Sequence, residues 1–567
     1  MANYYNENQK FYLSRLDLSE IVGDLENNYQ SYDSDALHSY SEAQQWYEMV
    51  LNNAGAICAD FIAPRAKAVD EQGPTYRDGL VSWAPETQEN IKILTDAGFM
   101  GGTLPRKYGG LNLPVTINNI IVEMVSQADA SLMNLFGLQD IAVTIYKFGD
   151  EAQKDRVLPK FCRGEVSGSM ALTEPDAGSD LQSVAMRAIE KDGQWYLDGV
   201  KRFITNGCGE VTLVLARSEE GSKGGRGLSM FLYERYRDIN LIVRRIEDKH
   251  GIHGSPTCEL QFKMAKAELV GKRKFGLIKY VMSLMNGARL AVSAQALGIA
   301  QAAYEEALKY ANEREQFGQK IVHIPAVYQM LKKMQAEIET TRILLYRTAL
   351  FVDYEDLYER RVQRGEEVRE ELKYASAMAS FLTPLTKFTA TEMANKVAYD
   401  AVQVHGGCGY MKDFPVERLA RDARITNIYE GTTQLQVVAA IGGVINNVLE
   451  KEWQNLKEFK VKELTTAKEQ ILGFVEQLRQ IATEVGELKN KDFHDYVANH
   501  LVEIASIGYR CALFLPIAEE HPDKRDLFCY YLNESATRIN YLVNEVRSLK
   551  ANYGENIASL KEDLVKK

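Results

Sequence analysis

The chain lacks several features that would place it in a specialised class of protein. Its 567 residues contain no run of the roughly 18 consecutive apolar residues that a membrane-spanning helix needs. The seven cysteines include no Cys-x-x-Cys pair, so neither a disulfide framework nor a zinc site is expected. Basic residues are not in excess: 67 Lys and Arg against 78 Asp and Glu give a net charge of −11, which argues against nucleic acid as a partner.

The opening residues and the cysteines together predict a location. The sequence MANYYNENQKFYLSRLDLSE has no basic segment followed by an apolar one, so no secretory signal is expected. Scattered cysteines suit a reducing compartment, and 46% hydrophobic with 26% charged residues is typical of a folded soluble chain. We therefore expect a cytoplasmic protein with no metal site and no membrane span.

The length exceeds what one hydrophobic core supports, about 250–300 residues, and predicts several domains. The pattern of apolar residues changes along the chain. Ile117, Ile120, Ile121 and Met124 follow helical spacing, whereas runs such as 212–216 and 228–233 are typical of strands. Helical spacing returns after about residue 277. The predicted divisions are an N-terminal extension, a helical domain, a β domain, a helical bundle and an extra helical domain, at 1–40, 41–163, 164–275, 276–445 and 446–567.

Turn signals subdivide the β region. Asp192-Gly193 and Asp198-Gly199 both predict hairpin turns. The glycine-rich run 221–227 lies between strand-like segments and lacks the Gly-Lys-Ser/Thr of a phosphate-binding loop, so it is predicted to be a hairpin loop.

Two segments carry an unusual density of glycine and polar residues: MALTEPDAGSD at 170–180 and QVHGGCGYMKDFPVERLARDARITNIYEGTTQ at 403–434. Between them lie Phe-Ile-Thr-Asn at 203–206 and Arg-x-x-Phe-Gly at 314–318. In order and spacing these four elements resemble the signatures of the acyl-CoA dehydrogenase family, over about residues 41–445. The resemblance implies a mainly helical α+β fold: an N-terminal helical domain, a central β-barrel or sandwich, and a C-terminal four-helix bundle, here followed by the extra helices.

The resemblance also implies a reaction. Members of the family oxidise the Cα–Cβ bond of an acyl-CoA thioester to trans-2-enoyl-CoA, a step of fatty-acid β-oxidation. No side chain accepts a hydride, so this chemistry needs a cofactor, and the family uses FAD and passes its electrons to electron-transfer flavoprotein.

Glu430 is the residue predicted to remove the Cα proton. The glycine after it allows close approach of a substrate, and an acyl chain that desolvates the carboxylate is expected to raise its pKa. The resemblance assigns the backbone N–H of Glu430 to the oxyanion hole. Taken alone, the tetrapeptide allows another interpretation, in which Glu430 caps a helix beside Thr432. Some relatives carry the base just before a helix arginine, but that position here is Ala288, before Arg289.

The resemblance transfers further roles to individual residues. Residues expected to contact FAD are Met170, Leu172, Thr173, Ser179, Phe203, Thr205, Arg314, Phe317, Gln403, Gly407, Thr432 and Gln434. Phe203 replaces a tryptophan of many relatives, Thr205 is expected near flavin N5, and Arg314 at the pyrophosphate. Gln403 and Gly407 match residues that reach FAD from a neighbouring subunit, which implies an oligomer. Residues expected to contact the substrate are Ser179, Asn286, Arg289, Tyr429 and Gly431.

Three histidines stand near these motifs. His250 and His253 have no third ligand nearby that would suggest a metal, and a structural role on a strand is predicted for them. No catalytic role is predicted for His405.

The residues after 446 leave alternatives open. An alkylation-response flavoprotein that binds DNA also carries an added module, but 17 basic and 20 acidic residues here give −3, unlike a DNA-binding domain. An acyl-CoA oxidase that uses O₂ is a nearer alternative, and a non-enzymatic scaffold a third. By analogy with very-long-chain relatives, the extra helices predict a homodimer.

Overall fold

The computed structural model describes residues 2–30 and 36–565. The chain forms two compact units. Unit 1 comprises Met1–Ala303 and Cys408–Thr426, and unit 2 comprises Tyr304–Gly407 and Asn427–Lys567. Each unit therefore contains segments that are distant in sequence, and the predicted motif at 403–434 contributes residues to both.

Unit 1 begins with short helices and one small hairpin. Their bounds are α1 Glu7–Ser14, α2 Ser19–Leu25, α3 Tyr40–Ile57, α4 Ala66–Gln72, β1 Thr75–Arg77, β2 Leu80–Ser82, α5 Pro85–Asp96, α6 Val115–Ala128, α7 Ala130–Phe136, α8 Ile141–Phe148 and α9 Glu151–Cys162. The helices begin where the sequence provides caps: Asn6 caps α1, Asp129 caps α7 and Asp150 caps α9. Gly98, at φ 81°, follows the end of α5 as the apolar pattern predicts.

The described residues of the predicted N-terminal extension, 2–30 and 36–40, include short helices. Tyr12, Ile21 and Val22 on α1 and α2 are buried, and Arg106 forms an ion pair with the buried Glu26. Residues 31–35 of this segment lie outside the described residues. The helices of the extension thus pack as part of unit 1.

The β region of unit 1 is a barrel. Its strands are β3 Gly168–Ala171, β4 Arg187–Lys191, β5 Gln194–Thr205, β6 Val211–Arg217, β7 Leu228–Glu234, β8 Leu241–Ile246 and β9 Thr257–Val270. Neighbouring strands follow the order β3-β6-β4-β5-β9-β7, and β6 also pairs with β7, which closes the ring. β6 and β7 are buried along almost their whole length, in agreement with their continuous apolar runs.

Of the two hairpin turns predicted at Asp-Gly, one is confirmed and the other is wrong. Asp192-Gly193 joins β4 to β5. Asp198-Gly199 instead lies inside β5, where the pairing with β9 shifts between Leu197 and Gly199. A Cβ at Gly199 would lie 2.9 Å from the Met186 Cγ, so this glycine serves a close approach within a bulged strand rather than a turn.

The second half of the chain is helical, apart from one small hairpin. Its elements are α10 Met282–Glu313, β10 Glu315–Gln316, β11 Gln319–Lys320, α11 Pro325–Gln363, α12 Arg369–His405, α13 Pro415–Thr426 and α14 Thr433–Ile445. The bundle continues with α15 Glu450–Glu458, α16 Thr465–Glu487, α17 Lys491–Glu520, α18 Pro522–Tyr553 and α19 Ser559–Val565. Helices α11, α12 and α14 pack side by side in unit 2. The expected fold class, mainly helical with a central barrel and extra C-terminal helices, is confirmed.

The extra C-terminal helices pack directly on the bundle. α17 contacts α11, α12 and α14, and the Thr389 and Ser506 hydroxyls are 2.6 Å apart in a buried contact. Within residues 2–30 and 36–565, α17 is the one helix whose length and mean hydropathy of 1.5 would allow a membrane crossing, but 78% of that window is buried. Such burial is typical of the central helix of a bundle.

Candidate active site

The residues predicted to face the flavin ring lie at one place in unit 1, on β3 and β5 and the chain that follows β3. β3 ends at Ala171, and the backbone N–H of Arg202 on β5 donates to the carbonyl oxygen of Thr173 at 2.9 Å. Met170, Thr173 and Thr205 are half-buried, while Leu172 is buried. The structure therefore brings together the predicted residues Met170, Leu172, Thr173, Phe203 and Thr205.

Phe203 has an unusual backbone conformation. It has φ 60°, in the left-handed region that bulky residues rarely adopt, and the β5–β9 pairing shifts between Lys201 and Ile204. Bulges re-aim side chains. Lys201 is accordingly fully buried, whereas the Phe203 ring is 54% exposed with the Arg202 guanidinium 4.7 Å from its centre.

A buried ion pair fixes this part of the site. The Lys201 ammonium donates to the Leu172 carbonyl at 2.7 Å and to the Glu174 carboxylate at 2.9 Å. Glu174 also accepts the backbone N–H groups of Ala185 and Met186. Burial lowers the pKa of Lys201 to about 8 in spite of Glu174. Lys201 and Glu174 thus hold β5 against the chain that carries Leu172 and Thr173.

The predicted substrate residues of unit 1 fall in two places. Asn286 and Arg289 lie one turn apart near the start of α10, where an Arg289 N–H donates to the Asn286 side-chain oxygen at 3.2 Å. Arg289 is buried. Ser179 is exposed in the loop after β3, next to Asp180.

Glu430 lies in a tight turn of unit 2 just before α14. It has φ 54°, and Gly431 has φ 90°. The cap of α14 is Thr432, whose side chain accepts the Leu435 N–H. The interpretation of Glu430 as the helix cap is therefore wrong, because Glu430 precedes the capping residue by two positions.

Lys387 on α12 and Gln436 on α14 fix this turn through its carbonyl groups. The fully buried Lys387 donates to the carbonyls of Tyr429 at 2.7 Å and Gly431 at 2.6 Å. The Gln436 amide donates to Gly431 at 2.8 Å and to Glu430 at 3.2 Å. Three consecutive carbonyls are thereby held by side chains, so the peptide planes on both sides of Glu430 are fixed.

The remaining predicted cofactor residues of unit 2 are accessible. Arg314 follows α10, and Phe317 is 92% exposed in the β10–β11 hairpin with φ 52°. Gln403 and Gly407 are exposed at the end of α12. Thr432 is half-buried and Gln434 exposed at the start of α14.

The histidines near the motifs have structural partners. His253 lies in the loop between β8 and β9, so its predicted position on a strand is wrong. Its ring nitrogens contact Asp70 at 2.8 Å and the Lys249 carbonyl at 2.7 Å. His250, in the same loop, is exposed. His405 is buried and stacks on Tyr310 with ring centres 4.3 Å apart.

Lys201, Glu174, Lys387 and Gln436 were not predicted from the sequence as site residues. Lys387 interrupts the apolar stretch FLTPLTKFTA, and a charged residue in such a stretch is the signal that could have drawn attention to it. No comparable signal marks Gln436. In the part of the chain that the structure describes, no group of three His, Cys, Asp or Glu side chains could hold a metal ion.

Comparison with known proteins identifies the class of the fold. Family models match three consecutive regions: acyl-CoA dehydrogenase N-terminal domain at 44–165, middle domain at 169–265 and C-terminal domain at 278–442. The chain is 34% identical to 3-methylmercaptopropionyl-CoA dehydrogenase of Ruegeria pomeroyi over 453 residues, 75% of each protein. The N-terminal, barrel and bundle regions thus match those of one class of flavin-dependent oxidoreductase.

Solved structures agree with this class. A chain from the structure described as the electron transferring flavoprotein of Acidaminococcus fermentans is 32% identical, with a TM-score of 0.60 over 72% of this chain and 98% of that chain. The FAD complex of an acyl-CoA dehydrogenase from Bacillus anthracis is 23% identical and shares the fold, with a TM-score of 0.75 over 88% of both chains. The chain belongs to the acyl-CoA dehydrogenase family.

Members of this family are FAD-dependent oxidoreductases, and the residues described above fit that cofactor. In unit 1, the exposed Phe203 ring on a paired strand offers a flat apolar surface of the kind that aromatic ring systems stack against. In unit 2, the exposed Arg314 supplies a guanidinium suited to phosphate oxygens.

Proposed function

We propose that the protein oxidises an acyl-CoA thioester to the trans-2-enoyl-CoA and that Glu430 removes the Cα proton. The observation that carries this proposal is the turn at Glu430. The backbone of this residue is in the left-handed region, and Lys387 and Gln436 hold the carbonyl groups of the turn. Residues in such conformations cluster at active sites. A base whose backbone is fixed in advance needs less ordering when the substrate binds.

The bound FAD supplies the hydride acceptor that no side chain provides. Met170, Leu172, Thr173, Phe203 and Thr205 are proposed to hold its ring system. Ser179, Arg314, Phe317, Gln403, Gly407, Thr432 and Gln434 are proposed to hold the rest. Asn286, Arg289, Tyr429 and Gly431, with Ser179, are proposed to position the thioester. Two findings support these roles: the match to the family models, and the positions of these residues within unit 1 and within unit 2.

The test is anaerobic loss of the yellow flavin colour on addition of acyl-CoA. Glu430→Gln is expected to retain FAD and to lose this bleaching by about 10²–10⁴-fold, the range that a general base contributes. Glu367→Gln, which changes an exposed carboxylate between α11 and α12, is the matched control and is expected to bleach as the parent does. Bleaching of the Glu430 variant at the parental rate would refute the assignment.

The same assay, applied to a panel of straight, branched and thioether acyl-CoAs, should identify the acyl group of the substrate. The panel includes 3-methylmercaptopropionyl-CoA because the relative from Ruegeria pomeroyi acts on it by name. The compound with the highest bleaching rate per unit concentration defines the substrate.

We also propose that electrons pass to electron-transfer flavoprotein and that the enzyme works in cytoplasmic β-oxidation. The similarity to a chain in an electron transferring flavoprotein structure supports the partner. Reduced enzyme is expected to reduce added electron-transfer flavoprotein faster than it produces hydrogen peroxide in air. Hydrogen peroxide formed at the rate of turnover would instead identify an oxidase.

A homodimer is proposed for the assembly. The packing of α17 over α11, α12 and α14 within one chain supports it, because these extra helices cover bundle surface. Light scattering on the holoenzyme should give twice the 64.0 kDa chain mass, and a mass of four chains would contradict the proposal.

A further inference from the structure

Glu392 on α12 contacts both ends of the loop that carries Glu430. The loop comprises residues 427–433, from the end of α13 to the first residue of α14. One carboxylate oxygen of Glu392, Oε1, accepts the Asn427 side-chain amide at 3.0 Å and also the Thr433 hydroxyl. A single side chain of α12 thus joins the first and the last residue of the loop.

The backbone closes the same loop. The Thr433 N–H donates to the Asn427 carbonyl at 3.0 Å, and the Thr433 hydroxyl lies 3.4 Å from that carbonyl oxygen. Asn427 and Thr433 are half-buried, whereas Glu392 is exposed. The two ends of the loop are therefore held to each other and, through Glu392, to α12.

Helix α12 holds the middle and the ends of this loop with side chains of opposite charge. Lys387 donates to the carbonyl groups on either side of Glu430. Glu392, five positions further along α12, accepts donors from the two ends of the loop. A left-handed backbone at a glutamate persists only where the surrounding structure fixes it. Lys387 fixes the peptide planes beside Glu430, and Glu392 fixes the ends from which these peptides extend.

We infer that Glu392 is a positioning residue for proton abstraction, a role that rests on the proposed function of Glu430. Its hydrogen bonds go to residues that lie three positions before and three positions after Glu430. Glu392 therefore acts through the loop and takes no part in the proton transfer itself. A displacement of about 1 Å can slow a reaction between positioned groups by about 10²-fold, so a loosened loop is costly to the reaction.

The exposure of Glu392 separates this role from a purely structural one. Substitutions of exposed side chains usually change the stability of a protein little, because water replaces the lost contacts. Water that binds the Asn427 amide and the Thr433 hydroxyl separately does not join them to each other. Loss of the carboxylate is therefore expected to loosen the loop while the chain as a whole stays folded.

The experiment is anaerobic flavin bleaching of the full-length holoenzyme by a saturating concentration of the panel acyl-CoA that bleaches the parent fastest. Glu392→Met should bleach about 10–100-fold more slowly, with unchanged FAD content and an unchanged acyl-CoA concentration for half-maximal rate. Its thermal midpoint should stay within about 4 °C of the parent. Glu392→Gln keeps an oxygen that can accept both hydrogen bonds and should restore most of the rate. Parental bleaching by Glu392→Met would overturn the positioning role.

Amide hydrogen exchange measures the loop without the reaction. The Thr433 N–H should exchange about 2–10-fold faster in Glu392→Met, the factor that corresponds to one ordinary hydrogen bond. Glu371→Met, which changes an exposed carboxylate in the first turn of α12, is the control and should match the parent in exchange and in bleaching. Thr433→Val removes the hydroxyl that Glu392 accepts and should also slow bleaching. Unchanged exchange at Thr433 in Glu392→Met would refute the proposed link between the loop ends.

Glu430→Gln distinguishes failure of the positioning role from failure of the proposed function. If Glu430→Gln bleaches at the parental rate, the base is wrong and the positioning role falls with it. If Glu430→Gln loses bleaching while Glu392→Met retains it, only the positioning role is overturned. In the Glu430→Gln background, Glu392→Met should slow the residual bleaching by less than about twofold, because residues that act through one another are not additive. A further loss as large as that in the parent would show that Glu392 does not act through Glu430.

Discussion

Lys387 holds Glu430 through the carbonyl groups on either side of it. The ammonium group lies 2.7 Å from the carbonyl oxygen of Tyr429 and 2.6 Å from that of Gly431. These residues come together from α12 and from the turn before α14, 43 positions apart in the chain. The proposed base therefore owes its backbone conformation to a buried cation that does not need to touch the substrate.

Lys387→Met should release this turn. The substitution keeps the length of the side chain but removes the Lys387 hydrogen bond to the Tyr429 carbonyl and one of the two hydrogen bonds to the Gly431 carbonyl, which retains Gln436. The loss of the buried Tyr429 hydrogen bond should cost about 1–3 kcal/mol. We expect kcat to fall by at least tenfold with a smaller change in KM, because the base is misplaced while the rest of the site is intact. Steady-state kinetics and thermal unfolding measure both effects.

The control for this variant is Lys396→Met on the same helix. Lys396 is exposed and pairs with Asp400 at 2.6 Å, so its loss should change the free energy of unfolding by less than about 1 kcal/mol and leave kcat unchanged. If Lys387→Met lowered stability but left kcat at the parental value, the lysine would be structural and would not position Glu430.

Lys201→Met should be strongly destabilising because it leaves the Glu174 carboxylate buried without its cation. Loss of one partner from a buried ion pair costs about 3–5 kcal/mol. The holoenzyme should also lose FAD more readily, since Lys201 fixes the carbonyl of Leu172. Thermal unfolding and flavin fluorescence after dilution measure the two effects.

Arg187→Met tests whether that cost comes from burial. Arg187 pairs with Asp198 across β4 and β5 at 2.7 Å, but its side chain is 66% exposed, so we expect a change below about 1 kcal/mol. Equal destabilisation by the two substitutions would show that strand pairing, rather than the buried charge, determines the effect.

His253 predicts a pH dependence of stability. Its hydrogen bond with Asp70 raises the pKa of His253. Burial works against the ionised form of Asp70, but its hydrogen bonds to His253 and Arg421 hold the pKa of that carboxyl well below its usual range. The stabilisation from His253 is complete below the histidine pKa in unfolded chains, about 6.5, and is lost as the pH rises through the raised value in the folded protein.

His253→Gln should therefore reduce the free energy of unfolding more at pH 5.5 than at pH 8.5. Denaturant unfolding at both values, compared with His250→Gln, measures the difference; His250 is exposed in the same loop. Asp70 sets the lower limit of the pH range in which the His253–Asp70 pair stabilises the fold, because Asp70 becomes protonated only at more acid pH. A loss of stability that is the same at both values would exclude a contribution from the His253 charge.

Much of the fold could be predicted from apolar spacing. The long helices and β6 and β7 lie where the 3.6-residue spacing or a continuous apolar run places them, because these patterns are local. The turn predicted at Asp198-Gly199 is wrong because the same dipeptide suits both a turn and a bulge, and only the close approach of Met186 distinguishes them. The strand position predicted for His253 is wrong because nothing local in the sequence shows that the chain leaves the sheet to reach Asp70.

The candidate site likewise contains some residues that the sequence indicates and others that only the packing reveals. Glu430, Phe203 and Thr205 could be proposed from the sequence because their motifs are contiguous. Lys387 and Gln436 could not, since their role depends on which carbonyls the packing of α12 and α14 places beside them. The left-handed backbone conformations of Phe203 and Glu430 could not be predicted either, because phenylalanine and glutamate ordinarily adopt other backbone angles.

Glu452 should be essential for packing of the C-terminal helices. Its carboxylate on α15 accepts hydrogen bonds from Arg347 on α11 at 3.1 Å, from Tyr374 on α12 and from Tyr509 on α17, both at 3.0 Å. A neutral amide matches these donors less well and leaves the largely buried Arg347 without its counter-charge. Glu452→Gln should therefore lower the free energy of unfolding by about 3 kcal/mol.

Limited proteolysis of the holoenzyme provides the sharper measurement, because it reports where the structure opens. We expect faster cleavage between α14 and α15, near residues 446–449, and a lower thermal midpoint for Glu452→Gln. Glu458→Gln, at the exposed end of the same helix, should match the parent in both. If Glu452→Gln leaves proteolysis unchanged there, the contacts of α17 with α11 and α14 alone hold the C-terminal helices in place.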